Sequence, residues 1–239
     1  MASLAGKKLN PSHFVRTVWN SFKAESGLEG RLFARNLRVL RATEGFVDME
    51  LTIAPHHTNR LKILHGGAIA SLVDLGGSLA VASKGYFGTG VSTDLNVSYL
   101  NNGGISGNKV RVTATCDKIG KTLAFTRVNF YDQKNTLIAR GSHTKYIAVA
   151  IQGNQPFELP EEAIRSIEER KKKWEERMAQ KKETEGNPEK SAERSTTPAE
   201  AASAETTASD TAPAETAPAK SSSSETKPEE TKPESQSTN

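Results

Sequence analysis

One acidic residue stands inside an otherwise apolar segment, and it is the first candidate for chemistry. Residues 65–82 carry a single full charge, that of Asp74. The segment is apolar on all sides, which predicts a helix buried in the core of the protein. An ionised carboxylate in such a helix is costly unless it has a partner, so Asp74 is a candidate functional group.

The residues that open this helix predict a second part of the same site. Gly66 and Gly67 follow His65, and unpaired backbone N–H groups at a helix start favour a negatively charged oxygen. Amide donors at one end of the helix and an acid or nucleophile further along are the parts of an active site. The residues alone leave two alternatives open: Asp74 as a buried structural acid, and the glycines as a place where a strand passes close.

Alternating polar and apolar residues on both sides of the helix predict strands. The predicted strands are 31–42 and 45–54 before the helix, and 91–99, 109–118, 121–131 and about 137–148 after it. This order predicts an α+β domain in which an antiparallel sheet wraps around one long central helix. Residues 11–26 add a short amphipathic helix in front.

Charge and composition divide the chain into unlike parts. Residues 1–150 hold 19 Lys and Arg against 9 Asp and Glu, a net charge of +10, whereas residues 151–239 hold 13 against 19, a net charge of −6. Residues 184–239 contain no Val, Ile, Leu, Met or aromatic residue. Such a segment cannot bury enough apolar surface to offset its ordering entropy, which predicts a disordered low-complexity tail. We therefore expect an N-terminal segment (1–30), a main domain (31–150), a charged helical extension (151–183) and this tail (184–239).

The charged extension carries a thin apolar stripe at helical spacing, formed by Ile164, Ile167, Lys171, Trp174 and Met178. The stripe covers little more than two heptads. It favours a solvated helix with Trp174 packed on the core over a coiled coil.

Several classes of protein and site are disfavoured by what the chain lacks. It has no apolar run long enough to cross a membrane. Its one cysteine, Cys116, excludes an internal disulfide, suits a reducing compartment and is expected to fill the core of a strand. Four basic residues precede the first acid, Glu25, so we expect a cytoplasmic or mitochondrial location.

The histidines give no sign of a metal or of a serine hydrolase. His56 and His57 lack a His, Cys or Asp partner at metal-ligand spacing, so we expect both at the surface, with no metal and no cofactor. His143 is expected to pack or form hydrogen bonds within its strand. The chain has no Gly-x-Ser-x-Gly elbow, so a Ser–His–Asp triad is not indicated.

A series of motifs in order along the chain carries a family resemblance. They are His56–Arg60, Leu64–Gly67, Leu72–Asp74, Gly90–Tyr99, Gly120–Thr126 and His143–Lys145. Over residues 33–147 the chain resembles the hotdog-fold thioesterases of the PaaI-like type, and among them the thioesterase superfamily member 2 group of acyl-CoA thioesterases. The resemblance implies a hotdog fold and hydrolysis of acyl-CoA to a free acid and coenzyme A.

The resemblance also implies roles for individual residues. Asp74 matches the catalytic carboxylate, as general base or nucleophile, and the Gly66 N–H matches the donor that polarises the thioester carbonyl. Asn59 matches a residue that helps to hold the attacking water, Ser92 the hydroxyl that supports the carboxylate, and His65 a residue that orients the site. The expected contacts with the coenzyme A moiety are Lys118, Gly120, Lys121 and Thr122.

The spacing of Gly66 and Asp74 predicts a shared site. Eight residues separate them, which is about 12 Å along one helix. A carbonyl polarised by Gly66 must also lie within reach of the acid, so one helix does not easily supply both groups. Two antiparallel helices from two subunits can supply them. We therefore expect a homodimer with shared sites, assembled as a dimer of dimers.

Three other functions stay open from the sequence. The basic main domain permits nucleic acid as a partner, but no recognition motif supports it, and we expect none. The second alternative is a non-catalytic hotdog protein that binds acyl-CoA or acts as a scaffold whose tail recruits partners. A hotdog dehydratase needs a His–acid pair in one site, and the sequence shows no motif for one.

Overall fold

A six-stranded antiparallel sheet encloses the apolar helix. The computed structural model describes residues 6–185, with side-chain surroundings up to residue 181. The strands are β1 (Leu37–Thr43), β2 (Phe46–Thr52), β3 (Val91–Tyr99), β4 (Lys109–Ile119), β5 (Leu123–Tyr131) and β6 (Leu137–Tyr146), in the sheet order β1-β2-β4-β5-β6-β3. The helices are α1 (Pro11–Glu25), α2 (Gly27–Leu32), α3 (Gly66–Ala82) and α4 (Glu161–Glu185). The predicted α+β class, with a sheet around one central helix, is confirmed.

Two adjacent glycines let α3 lie close to the sheet. A Cβ on Gly76 would lie 3.1 Å from the Val128 side chain, and one on Gly77 would lie 2.5 Å from His143 Nδ1. Cβ atoms essentially never lie below 3.0 Å from a neighbour, so a side chain at Gly77 would force the helix or its neighbours to move. The helix backbone therefore rests directly on the inner faces of β5 and β6.

The prediction that α3 is buried on all sides is correct for its second half only. Every residue from Leu75 to Ala82 is buried. In the first half, Gly67 is exposed and Ser71 and Asp74 are partly exposed, and these three residues share one face of the helix. The sheet covers the opposite face. Asp74 consequently lies at the border between core and solvent.

The N-terminal helices correct one predicted strand. Asn10 caps α1 by accepting a hydrogen bond from the His13 N–H (2.9 Å), and Pro11 occupies the first turn. Ser26 caps a second helix, α2, which ends at Leu32. The first strand therefore begins at Leu37, and the strand predicted from residue 31 is wrong in its first six positions.

The prediction that Trp174 packs on the core is also wrong. Ala163 and Ile164, in the first turn of α4, are 8% exposed, and Ile167 packs against the core in the second. The Trp174 side chain is 61% exposed and Met178 is 39% exposed. Contact with the core ends within two turns, so the rest of the apolar stripe faces solvent.

Other expectations concern single residues and segments. Cys116 is buried in β4, as predicted, and burial raises the pKa of its thiol. Among the helices of residues 6–185, none has the length and apolar character needed to span a bilayer. The tail predicted from residue 184 lies, beyond residue 185, outside the described part of the chain.

Candidate active site

Four side chains from three elements meet beside α3. Asp74 extends from the helix, Ser92 lies near the start of β3, and His143 and Lys145 lie on β6. The Ser92 hydroxyl donates a hydrogen bond to Asp74 Oδ1 at 3.2 Å. The same oxygen lies 3.4 Å from His143 Nε2 and 3.6 Å from Lys145 Nζ. The sequence therefore brings one carboxylate and three donors together.

Strand alternation and register explain this meeting. In β6, every second residue faces α3, and this places His143 and Lys145 on the inner face, where their side chains are 0% and 3% exposed. β3 is the neighbour of β6, and its Ser92 pairs directly with Lys145. Asp74 lies above this pair on the helix, with 43% of its side chain exposed.

The environment of His143 keeps its ring neutral. Burial lowers the pKa of His143 to about 4, and the charge of Lys145 acts in the same direction against the opposing effect of Asp74. His143 Nε2 lies 2.9 Å from Ser92 Oγ, while Nδ1 is buried and has no hydrogen-bond partner among the described residues. Burying an N–H group without an acceptor costs more free energy than burying a lone pair without a donor. We therefore assign the ring proton to Nε2, which donates toward Ser92 and Asp74.

All of these contacts with Asp74 go to one carboxylate oxygen. Oδ1 faces the Ser92 hydroxyl, the His143 N–H and the Lys145 ammonium group. Within residues 6–185 no polar partner is found for Oδ2. A carboxylate held by one oxygen, with the other free and partly exposed, can accept a proton from water or attack a carbonyl carbon.

The start of α3 leaves one backbone donor available. His65 caps the helix, accepting a hydrogen bond from the Gly67 N–H at Nδ1 (2.7 Å) and from the Ala68 and Ile69 N–H groups at its carbonyl oxygen. Among the described residues the Gly66 N–H has no acceptor. Tyr99 donates its hydroxyl to the Gly66 carbonyl oxygen at 3.0 Å and covers this residue with its ring. The first amide of the helix can therefore bind a ligand oxygen.

Asn59 lies in the loop before α3 and holds that loop together. Its side-chain oxygen accepts hydrogen bonds from the N–H groups of Leu61 (2.9 Å) and Ile63 (3.4 Å). No hydrogen bond within the described residues joins Asn59 to Asp74 of the same chain. The structure thus places Asn59, Gly66 and His65 at one end of α3 and Asp74 further along it.

One histidine of the same loop corrects an expectation. His56 is exposed, as predicted, but His57 is 1% exposed, so its predicted surface position is wrong. Its Nε2 lies 2.6 Å from the Leu32 carbonyl oxygen, and its Nδ1 accepts a hydrogen bond from the Ala54 N–H. The ring joins α2 to the loop, which is why it is buried. Within residues 6–185, no three His, Cys, Asp or Glu side chains cluster as metal ligands.

The residues expected to contact coenzyme A lie together on the hairpin between β4 and β5. Lys118, Gly120, Lys121 and Thr122 are all exposed. The Gly120 N–H closes the turn on the Leu123 carbonyl oxygen at 2.8 Å, and Thr122 accepts from the Ile147 N–H at 2.8 Å. The hairpin is therefore fixed to the sheet with its basic side chains free to meet a ligand.

Sequence reasoning missed two residues of this site. His143 was expected to serve only its own strand, and Lys145 was not singled out. The Asp74–His143 contact is the His–acid pair that the sequence did not show, since 69 positions separate the two residues. A signal was present: both are polar residues at alternate positions of a strand, in the phase of its apolar inward residues.

Comparison with known proteins places this chain in a family. Residues 61–139 match the thioesterase superfamily. Human acyl-coenzyme A thioesterase 13 is 37% identical over 112 residues, which cover 46% of this chain and 79% of that protein. The chain belongs to the thioesterase superfamily.

Two further relatives of this thioesterase agree with that assignment. A Schizosaccharomyces pombe protein named as a candidate esterase is 43% identical over 138 residues, covering 58% of this chain and 85% of that protein. The crystal structure of zebrafish thioesterase superfamily member 2 matches with a TM-score of 0.50 and 36% identity, covering 55% of this chain and 96% of that one. The predicted hotdog fold, the family and the class of thioester hydrolase are thereby confirmed.

Proposed function

We propose that this thioesterase hydrolyses acyl-CoA, with Asp74 as its catalytic carboxylate. The observation that carries the proposal is the convergence of Ser92, His143 and Lys145 on Asp74 Oδ1, while Oδ2 has no polar partner among the described residues and 43% of the side chain is exposed. The human relative is named an acyl-coenzyme A thioesterase, and this supports the substrate class.

The reaction uses one water molecule and breaks one bond. Asp74 takes a proton from water, and the hydroxide forms a C–O bond with the thioester carbonyl carbon, whose oxygen is held by the Gly66 N–H. The C–S bond then breaks, and the coenzyme A sulfur takes the proton back. In the alternative route Asp74 attacks the carbonyl carbon itself, and the C–S bond breaks to release the coenzyme A thiolate. Water then hydrolyses the resulting anhydride to the free acid and the Asp74 carboxylate, and the proton that it gives up goes to the thiolate.

Supporting roles follow from the contacts of the neighbouring groups. Ser92 and His143 orient the carboxylate; His143 is wholly buried and its Nε2 is engaged, so it is a positioning residue rather than an acid that reaches substrate. His65 fixes the helix start through the Gly67 N–H. Asn59 holds the loop, and we propose that its amide group also helps to place the water.

We propose that each site is shared between two chains. Gly66 and Asp74 are about 12 Å apart along α3, too far for one carbonyl group to meet both. The edge strand β3 is exposed at six consecutive positions from Val91 to Asn96, although one face of an antiparallel strand is normally buried. A second copy lying along β3 would cover this edge and bring its Gly66 to the Asp74 of the first copy. Two such dimers would form the expected dimer of dimers.

Coenzyme A carries phosphate groups, and the exposed β4–β5 hairpin offers cations for them. We propose that Lys118 and Lys121 contact the phosphates, while Gly120 and Thr122 shape the turn that presents them. The net charge of +10 over residues 1–150 favours approach of such an anion.

Replacement of Asp74 tests the proposal. Asp74→Asn keeps the size of the side chain but removes the base, so kcat for acyl-CoA hydrolysis should fall about 10²-fold or more. Asp132→Asn is the matched control, because Asp132 caps a distant turn through hydrogen bonds that Asn can also accept. Hydrolysis is followed by release of the coenzyme A thiol across a panel of acyl chains. Near-normal turnover by Asp74→Asn would rule out the assignment, and coenzyme A binding without hydrolysis in the wild type would favour the non-catalytic alternative.

The choice between base and nucleophile has its own measurement. In a single turnover in ¹⁸O water, a base mechanism places the label in the released acid. Label recovered in the Asp74 carboxylate indicates the nucleophilic route.

A further inference from the structure

We propose that Lys145 is a positioning residue for thioester hydrolysis, whose enclosed ammonium group fixes the Asp74 carboxylate by Oδ1. The inference rests on the proposed role of Asp74 and adds a residue to it. In this role Lys145 does not touch the substrate. It acts through the carboxylate.

The placement of Lys145 is unusual for a lysine. Its side chain is 3% exposed, and its Nζ lies 3.6 Å from Asp74 Oδ1. Lysine is almost never fully buried unless it is paired, because removing an ammonium group from water is costly. Here Lys145 lies on the inner face of β6, between Ala124 of β5 and Ser92 of β3. The ion pair with Asp74 is the contact that makes this position tolerable.

Lys145 supplies the cation that the neighbouring histidine does not. His143 lies closer to Asp74 Oδ1, at 3.4 Å, but its lowered pKa leaves it neutral at pH 7. Among the described residues, Lys145 is therefore the full positive charge in contact with the carboxylate. Two other acids face this group: Glu29 of α2 acts on Lys145, and Asp94 of β3 acts on His143. Without Lys145, the charged groups that the described residues place around Asp74 would all be acids.

The charge of Lys145 is itself conditional. Burial lowers the pKa of Lys145, and Asp74 opposes that change. Asp74 thus favours the charged form of Lys145. Loss of the lysine charge should leave the Asp74 side chain free to rotate away from its position beside Ser92.

The test compares the pH dependence of kcat/KM in three variants. Lys145→Met removes the charge and keeps the approximate length of the side chain. We expect kcat at pH 7 to fall about 10-fold with little change in KM, because the carboxylate loses a contact that fixes Oδ1. Lys84→Met is the control, since Lys84 pairs with Glu44 at the far end of α3.

Lys145→Arg makes the test independent of whether the neutral variant folds. Arginine keeps its charge at every pH used, so kcat at pH 7 should return toward the wild-type value. The alkaline loss of activity that follows deprotonation of Lys145 should move to higher pH. Circular dichroism and thermal melts establish that each variant is folded.

The outcomes separate this inference from the proposed function. A folded Lys145→Met protein with the wild-type kcat would overturn the role of Lys145, as would an unchanged alkaline limb in Lys145→Arg. A purely structural lysine would lower stability and kcat without moving the alkaline limb. If Asp74→Asn retains activity, the proposed function itself fails. If Asp74→Asn is inactive while the alkaline limb of Lys145→Arg stays at the wild-type position, only the role of Lys145 fails.

Discussion

Because Gly77 lies against His143, adding a methyl group by Gly77→Ala tests whether the position of His143 supports catalysis. A Cβ added at Gly77 would lie 2.5 Å from His143 Nδ1 and 2.6 Å from Thr126 Oγ1, whereas ordinary contact begins at 3.4 Å. The ring or the helix must therefore move by about 1 Å. His143 is wholly buried, and its Nε2 lies 2.9 Å from Ser92 Oγ. A displacement of that size breaks the hydrogen bond to Ser92 and removes a support of Asp74.

We expect Gly77→Ala to lower kcat strongly and the melting temperature only moderately. A misplacement of about 1 Å in a catalytic group costs up to about 10²-fold in rate, so kcat should fall between about 10-fold and 10²-fold. Overpacking lowers the free energy of unfolding by about 1–3 kcal/mol, and the better helix propensity of alanine restores about 1 kcal/mol of this loss. The melting temperature should accordingly fall by no more than about 8 °C.

Gly76→Ala is the matched control, one position away on the same helix. Its Cβ would lie 3.1 Å and 3.2 Å from the two Val128 methyl groups and 3.6 Å from Ala114 Cβ, with no polar group of the site nearby. Thiol release from acyl-CoA gives kcat, and thermal melting gives stability. The reasoning is refuted if folded Gly77→Ala turns over like the wild type, or if Gly76→Ala loses as much activity.

Four further outcomes are expected. Ser92→Ala should lower kcat less than Asp74→Asn, because Ser92 supports the acid and breaks no bond; equal losses would assign it a direct role. The folded pKa of His143 (about 4) lies below its ordinary value of 6.5, so stability should be full above pH 6.5 and decline as pH falls toward 4. Melting temperatures of His143→Gln should lack that decline. Co-expressed Asp74→Asn and Asn59→Ala chains should regain about a quarter of wild-type activity through mixed dimers with one intact site, and none if each site lies within one chain. A chain ending at residue 183 should match the full chain in melting temperature and hydrolysis, because the segment removed has nothing to pack.

The sequence was sufficient for the parts of the fold that rest on local pattern. The alternation of polar and apolar residues predicted β3 over 91–99, and the apolar run after His65 predicted α3. The predicted packing of Trp174 on the core was wrong because an apolar stripe predicts which face of a helix is buried but not how far along the helix the core extends. The predicted surface position of His57 was wrong because its burial depends on a carbonyl group of α2, a helix that was itself not predicted.

The site shows the same division between local and distant information. Asp74 could be singled out because its charge contrasts with its own segment. His143 and Lys145 could not be assigned to it, because their meeting depends on strand order and register, which bring β6 beside β3 and beneath α3. The register is a property of the whole sheet, and no motif in one strand contains it.

The polar inner face of β6 has a consequence for how this protein could evolve. His143 Nδ1 is buried without a hydrogen-bond partner among the described residues, and Lys145 is a buried cation, so both weaken a core that apolar residues would fill better. Enzymes are commonly only slightly more stable than they need to be, and their destabilising residues are concentrated where activity requires them. A lineage released from selection for hydrolysis would gain stability by exchanging these two positions for aliphatic residues. Their retention beside Asp74 would thus distinguish active members of the family from inert descendants with the same fold.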